Sequence, residues 1–218
     1  MLSSTQLATM LALQDAMNTK VNPQWLSAGY SYLRAALIES VEAIDHHGWK
    51  WWKAQNCDLA QVQMELVDIW HFALSHIIIA HDGDIPKAAK EIEAELQHLN
   101  PIIVFDGVTF DVSTNTLVEN LELMAGLCVV KRFDMPLFVT IVEQAQMTPT
   151  MLFEQYVGKN ILNFFRQDHG YKEGSYNKVW QGREDNEHLV EIMAQTNSTT
   201  QDYADVLYKA LEKRYLAK

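Results

Sequence analysis

Cysteine is scarce in this chain, and so is positive charge. Two cysteines, Cys57 and Cys128, stand alone among 218 residues. Neither belongs to a CxxC pair, so the usage fits a reducing compartment and both read as ordinary semi-buried thiols. Lys and Arg number 17 against 28 Asp and Glu, a formal net charge of −11. That balance argues against a nucleic-acid partner, which would need a basic face. It does not exclude a small phosphate ligand, because a cation and a few local lysines can offset it. Long apolar runs are missing too. The N-terminal MLSSTQLATMLALQD has neither a basic n-region nor a continuous apolar stretch, so it does not read as a signal peptide. FALSHIIIA is too short to span a membrane and contains His76. No repeat or low-complexity tract appears. These absences set the expectation of a cytoplasmic protein with no membrane partner.

What is present is helix. Residues 1–218, 48% apolar, suit one domain with a real core. Helical periodicity covers 3–18, then about 25–46, 59–80, 86–99, 114–133, 136–146 and 149–165. Asn22-Pro23, Asp82-Gly83-Asp84 and Asn100-Pro101 interrupt it, and Thr148-Pro149 is a start signal. The stretch 102–112 alternates and carries Asp106-Gly107, which predicts a small β-hairpin or extended loop leaning on a helix. Residues 166–186 are the most irregular part. Two terminal helices follow, about 187–195 and 200–216, joined by polar residues 196–199. The fold class is therefore all-α, a multi-helix bundle.

Two carboxylate pairs stand out within it. Glu39 and Glu42 lie three residues apart in LRAALIESVEAI, and Glu65 and Asp68 in QMELVDIWHFALSHIII. Residues at i and i+3 share one helix face, and both helices are too apolar to leave solvated all round. Ionised carboxylates rarely enter a core without a partner. No Lys or Arg lies within a turn of Glu65 or Asp68 in sequence. A divalent cation would supply the missing charge, and oxygen donors without cysteine suit Mg²⁺, with Mn²⁺ as substitute. Such a cation polarises a phosphoryl oxygen and activates water. The blander alternative is two pairs on solvated faces.

The 166–186 segment offers Arg166, Lys172, Lys178 and Arg183, with Asn186 at its end, as donors for phosphate. Its glycines would let backbone approach a ligand, and Tyr171, Tyr176 and Trp180 make it aromatic for a passive linker. A solvated surface loop is the plain alternative. Trp49, Trp51 and Trp52 could stack a base or simply pack. Gln14 and Asn18, at i and i+4, could satisfy a pyrimidine edge. His46, His47, His71, His76 and His81 lie near the acidic helices and read as polar core or surface residues.

Taken in order, ExxE (Glu39, Glu42), WKWW (Trp49 to Trp52), ExxD (Glu65, Asp68) and GYKEGSYNKVWQGREDN (Gly170 to Asn186) form a set. It resembles the dimeric, all-α dUTP pyrophosphatases, within the MazG-like all-α NTP pyrophosphatase superfamily. The resemblance spans about residues 10 to 190; WKWW and the glycine-rich segment carry most of its specificity. It implies Mg²⁺-dependent hydrolysis of dUTP, and usually dUDP, to dUMP. It implies metal ligation and catalysis by Glu39, Glu42, Glu65 and Asp68. Lys172, Lys178, Asn186 and Arg166 would meet the phosphates, with Tyr171 and Tyr176 near the nucleotide. Gln14 and Asn18 would read uracil, with Trp52 lining the base pocket. It further implies a homodimer and a mobile lobe closing over a rigid core. The 102–112 segment matches nothing in that set. A related pyrophosphatase for another nucleotide, such as dCTP, is the near alternative. A ferritin-like di-iron carboxylate bundle is the remote one, with Glu95-x-x-His98 and, as a weaker variant, Asp68-x-x-His71 in its favour.

Overall fold

A computed structural model describes residues 2–196 and 203–216 of the chain. Among them are nine α-helices and two two-stranded hairpins. The all-α expectation holds. Helix α1 (Ser4–Val21) opens on a reciprocal cap: Ser3 accepts from the Gln6 amide while the Gln6 side chain accepts from Ser3 N–H at 2.9 Å. This capping box meets two of the donors a helix start leaves orphaned. The expected helix from Trp25 does not run through. Trp25–Ser27 makes one 3₁₀ turn, Gly29 takes φ +69°, and α2 begins only at Tyr32, ending at His47. A left-handed residue cannot continue a right-handed helix.

Helix α3 (Leu59–Ala80) is the axis of the molecule. It is apolar on nearly every side, with Val62, Leu66, Val67, Ile69, Trp70, Ala73, Leu74, Ile77 and Ile78 all buried. By length and composition it could cross a membrane, but most of it is enclosed by neighbouring helices. A helix apolar all round belongs in a core. It packs on α1, α2, α4 (Ile85–Gln97) and α7 (Pro149–Asp168). The Asp58 N–H donates to the His46 carbonyl at 2.9 Å. That bond closes the loop between α2 and α3 and lays them side by side, so their acidic pairs face each other.

The hairpin expected at 102–112 forms: β1 (Ile102–Phe105) pairs antiparallel with β2 (Val108–Asp111). Its two-residue turn, Asp106-Gly107, has φ +50° and +75°, the left-handed pair such a turn requires. Ile103 goes into the core, which is how so small a sheet is held. Helices α5 (Leu117–Val129) and α6 (Met135–Gln144) follow, each capped by an oxygen, from Thr116 and Asp134.

Helix α7 runs three residues beyond the sequence boundary, so Arg166 sits on a helix and not in a loop. Part of the segment after it is regular as well. A second hairpin, β3 (Val179–Trp180) with β4 (Arg183–Glu184), turns at Gln181-Gly182, both at positive φ. The start signal of α8 (Asp185–Gln195) is Glu184, in a capping box with Glu187. Asp185 and Asn186 thus belong to the first turn of α8. Helix α9 (Tyr203–Leu216) packs on α7 and α8. Its Arg214 shares Glu191 with Arg183. The start of the last helix expected at 200–202, and most of the polar joint at 196–199, lie outside the described residues.

Candidate active site

Helices α2 and α3 bring three of the four expected carboxylates to one point. Glu39, Glu42 and Glu65 each place an oxygen within 4.8 Å of the others. Glu65 is buried, Glu39 half-buried and Glu42 exposed, so the cluster opens to solvent on the Glu42 side. Burial, and then the negative charges of Asp68, Glu65 and Glu42, push the Glu39 carboxyl up to about 8. Burial also raises Glu65. Like charges this close cannot all ionise without a compensating cation. An all-oxygen donor set, with one face open for water or phosphate, fits a hard divalent ion.

Asp68 stands apart from that triad. Its carboxylate meets the Lys159 ammonium at 2.9 Å, and the lysine side chain is 7% exposed. The neighbourhood thus has a cation that sequence adjacency hides: Lys159 arrives from α7, ninety-one positions after Asp68. His46 Nε2 lies 3.5 Å from Glu65 Oε1 on the other side. The di-iron alternative calls for an ExxH pair on each of two helices; among the described residues the triad is all carboxylate, and His46 touches only Glu65, from outside it. His98 is exposed, and His71 Nδ1 is engaged by Gln14.

One turn further along α3 lies a cavity of about 190 Å³, lined by Gln14, Met17, Asn18, Asp68, His71, Phe72, Asn163, Arg166, Gln167 and Tyr171. Asp68 stands in its wall, between the cavity and the carboxylate triad. Gln14 and Asn18 are both buried, unlike the usual solvated amide pair. Gln14 Nε2 donates to Asn18 Oδ1 (3.2 Å) and Ser75 Oγ (2.9 Å), and Asn18 Nδ2 donates to Ser75 Oγ (2.9 Å). Gln14 Oε1 accepts from the Tyr156 hydroxyl and from His71 Nδ1–H, each at 2.8 Å. Burial pulls His71 down to about 4, so the ring is neutral at pH 7. Tyr156 stacks on that ring at 4.1 Å.

The other expected residues divide. Arg166 and Tyr171 line the cavity, with the guanidinium 5.8 Å from the Tyr171 ring. Arg166 is held from behind by Asp185, through Nε and one terminal nitrogen at 2.8 Å each, with Asn186 Oδ1 at 3.4 Å. Burial would lift the Asp185 carboxyl, but its bonds from Arg166 hold it below the ordinary value. Tyr176 donates its hydroxyl to Asp185 at 2.9 Å. Lys172 donates to the Val21 carbonyl at 2.7 Å, and Lys178 pairs with Glu184 at 3.2 Å; neither lines the cavity. Trp52 stacks edge-on between Trp49 and Trp51 in an exposed cluster away from it.

Sequence reasoning missed Tyr156, Lys159, Asn160 and Asn163, and with them Ser75. A signal existed. Tyr156, Lys159, Asn160, Asn163 and Arg166 fall at i, i+3, i+4, i+7 and i+10, one face of α7. That face is polar where core packing calls for an apolar one, and most of it is buried.

An antiparallel pair of acidic helices beside a polar, amide-lined cavity defines the class: an all-α nucleotide pyrophosphohydrolase with a carboxylate cluster that could hold a divalent metal. A family model described as dUTPase matches residues 6–171. No curated protein matches the chain. The chain belongs to the all-α dUTPase family, and its reaction is the hydrolysis of dUTP.

Proposed function

We propose that this enzyme takes both dUTP and dUDP to dUMP, with Mg²⁺ as its natural ion and Mn²⁺ as a substitute. The supporting observation is the Glu39–Glu42–Glu65 triad at 4.8 Å, with Asp68 as the fourth acid at its edge. When bound there, the cation polarises the phosphoryl oxygens and lowers the pKa of water. The chain's residues do the rest. A carboxylate oxygen not engaged with the ion orients the attacking water and accepts its proton. The water oxygen bonds to phosphorus as the bridging P–O bond breaks, and pyrophosphate leaves from dUTP or phosphate from dUDP. Lys159 and Arg166 present charge to the phosphates from α7. Lys172, Lys178 and Asn186 join them when a mobile lobe closes over the rigid helical core. Tyr171 and Tyr176 border the nucleotide, Gln14 and Asn18 face the base, and Trp52 swings in to line it. The working form is a cytoplasmic homodimer.

The test is phosphate or pyrophosphate release across dUTP, dUDP, dCTP and dTTP, with and without Mg²⁺. Turnover confined to the uracil nucleotides and abolished by chelation is expected; equal turnover of dCTP would refute the base assignment. Glu65→Gln removes an ion ligand while keeping the shape. Since metal stabilisation of the transition state is worth several kcal/mol, kcat should fall by roughly a thousandfold with the circular-dichroism spectrum unchanged.

A further inference from the structure

The family match ends at residue 171, but the contacts that shape the cavity wall run further. Arg166 reaches the cavity from the last turn of α7, and Asp185 holds it from behind. Asp185 is wholly buried, and its Oδ2 is shared. Arg166 Nε donates to that oxygen at 2.8 Å and the Tyr176 hydroxyl at 2.9 Å. Where the Tyr176 hydroxyl sits therefore bears on where the carboxylate sits, and through it the guanidinium.

Tyr176 lies in irregular chain. Residues 175–178 follow Gly174 at φ +75° and belong to neither helix nor strand. Other rings place its side chain. Phe165, Tyr171 and Trp180 meet it edge-on, at 6.3, 6.0 and 6.3 Å. Tyr215, from the last turn of α9, lies flat against it, with centroids 5.5 Å apart and planes 13° apart. Among the described residues it is the one ring stacked on Tyr176. Offset stacking of this kind fixes the orientation of a ring as well as its position. Helix α9 can hold Tyr215 there because it has anchors of its own. Leu207 and Leu211 are buried, the Tyr208 hydroxyl donates to Asp168 at 2.8 Å, and Arg214 pairs with Glu191 at 2.7 Å.

We propose that Tyr215 is a positioning residue for the hydrolysis: stacked on Tyr176, it holds that hydroxyl on Asp185 and so sets Arg166 at the cavity wall. Tyr215 does not line the cavity, so its influence passes through Tyr176. The assignment rests on the reading that Arg166 meets the phosphates of the nucleotide. It makes the C-terminal helix, which lies beyond the family match, a working part of the site.

The experiment measures KM and kcat for dUTP in the wild type, Tyr215→Ala, Tyr215→Phe, Tyr176→Phe and the double variant Tyr215→Ala/Tyr176→Phe. Tyr215→Ala should raise KM about fivefold, the worth of one aromatic pair, with kcat within about twofold, because substrate binding is what loosens. Tyr215→Phe keeps the stacked ring and should restore the wild-type KM. Tyr176→Phe should raise KM by itself, and adding Tyr215→Ala should raise it no further, since both act through one hydroxyl. A Tyr215 that merely supports the fold predicts otherwise. Its loss would lower the melting temperature and leave the KM of the folded enzyme alone, or its KM effect would add in full to that of Tyr176→Phe; either result overturns the proposal. Should Tyr215→Ala fail to fold, Tyr215→Leu keeps the bulk without the flat face and is held to the same criteria. An Arg166→Ala enzyme with the wild-type KM would instead overturn the phosphate reading beneath it.

Discussion

At the scale of single residues, the site is a problem of compensating buried charge. Three carboxylates from α2 and α3 meet at one point, and the fourth, Asp68, is paired with Lys159 at 2.9 Å. The lysine neutralises one acid of the group, and the remaining negative charge is what a divalent ion would answer. The lysine would also compete with that ion for Asp68. Lys159→Met should therefore act in two directions. Without metal it leaves a largely buried aspartate unpaired, and stability should drop by about 3 kcal/mol, read by urea denaturation with EDTA present. The metal should bind more tightly, since a repelling ammonium has gone, and nucleotide more weakly, since a phosphate partner has gone. Titration calorimetry separates the two; unchanged metal affinity would place Asp68 outside the ion's reach. Arg166 shows the same logic in another form. Asp185 satisfies its fork with two bonds from behind, which fixes the guanidinium at the cavity wall.

At the scale of elements, legibility followed the period of the pattern. Helix α3 was readable almost to the residue because its apolar run is long; its cap, Asp58, is a signal that sequence reasoning left unused. The 102–112 hairpin was readable from Asp106-Gly107, and the two acidic pairs from their i, i+3 spacing in apolar surroundings. The 179–184 hairpin was not, because two residues per strand are too few to show alternation. Helix α7 was underestimated at its end, where polar Arg166-Gln167-Asp168 resembled a loop; Arg166 is buried because Asp185 meets it, a partner nineteen positions away. Lys159 escaped for the same reason, since its partner lies on another helix. The connection after α2 carries a test of its own. Gly48 caps that helix at φ +85°, and a Cβ there would lie 3.0 Å from Gln55 Cβ. The left-handed conformation costs a side-chain-bearing residue about 1–2 kcal/mol. Gly48→Ala should lower stability by that amount and shift the tryptophan emission of the Trp49–Trp52 cluster. Because the acidic helices stay packed, kcat should change less than about threefold, as checked by steady-state assay.

For the whole molecule, folding, proton binding and metal binding are linked through Glu39 and His71. The Glu39 carboxyl is lifted from 4.5 to about 8 in the folded chain. Between those values the native state binds more protons than the unfolded chain, so Glu39 makes stability fall as pH rises through that window. His71 has the opposite sign. Its folded value of about 4 lies below its ordinary 6.5, so between those limits the unfolded chain binds more protons and stability rises with pH. The two effects oppose each other below pH 6.5, and between 6.5 and 8 the Glu39 effect is no longer opposed by His71. Metal-free protein should therefore lose thermal stability across that upper interval. Saturating Mg²⁺, which requires an ionised carboxylate, should flatten the loss. The displaced proton is itself measurable. At pH 7 Glu39 carries a proton in the metal-free site, and metal binding should release about one proton per site, dwindling to none well above pH 8. Calorimetric titrations of Mg²⁺ in buffers of differing ionisation enthalpy count that proton directly. A release that is absent at pH 7, or no smaller at high pH, would show that Glu39 does not hold the ion.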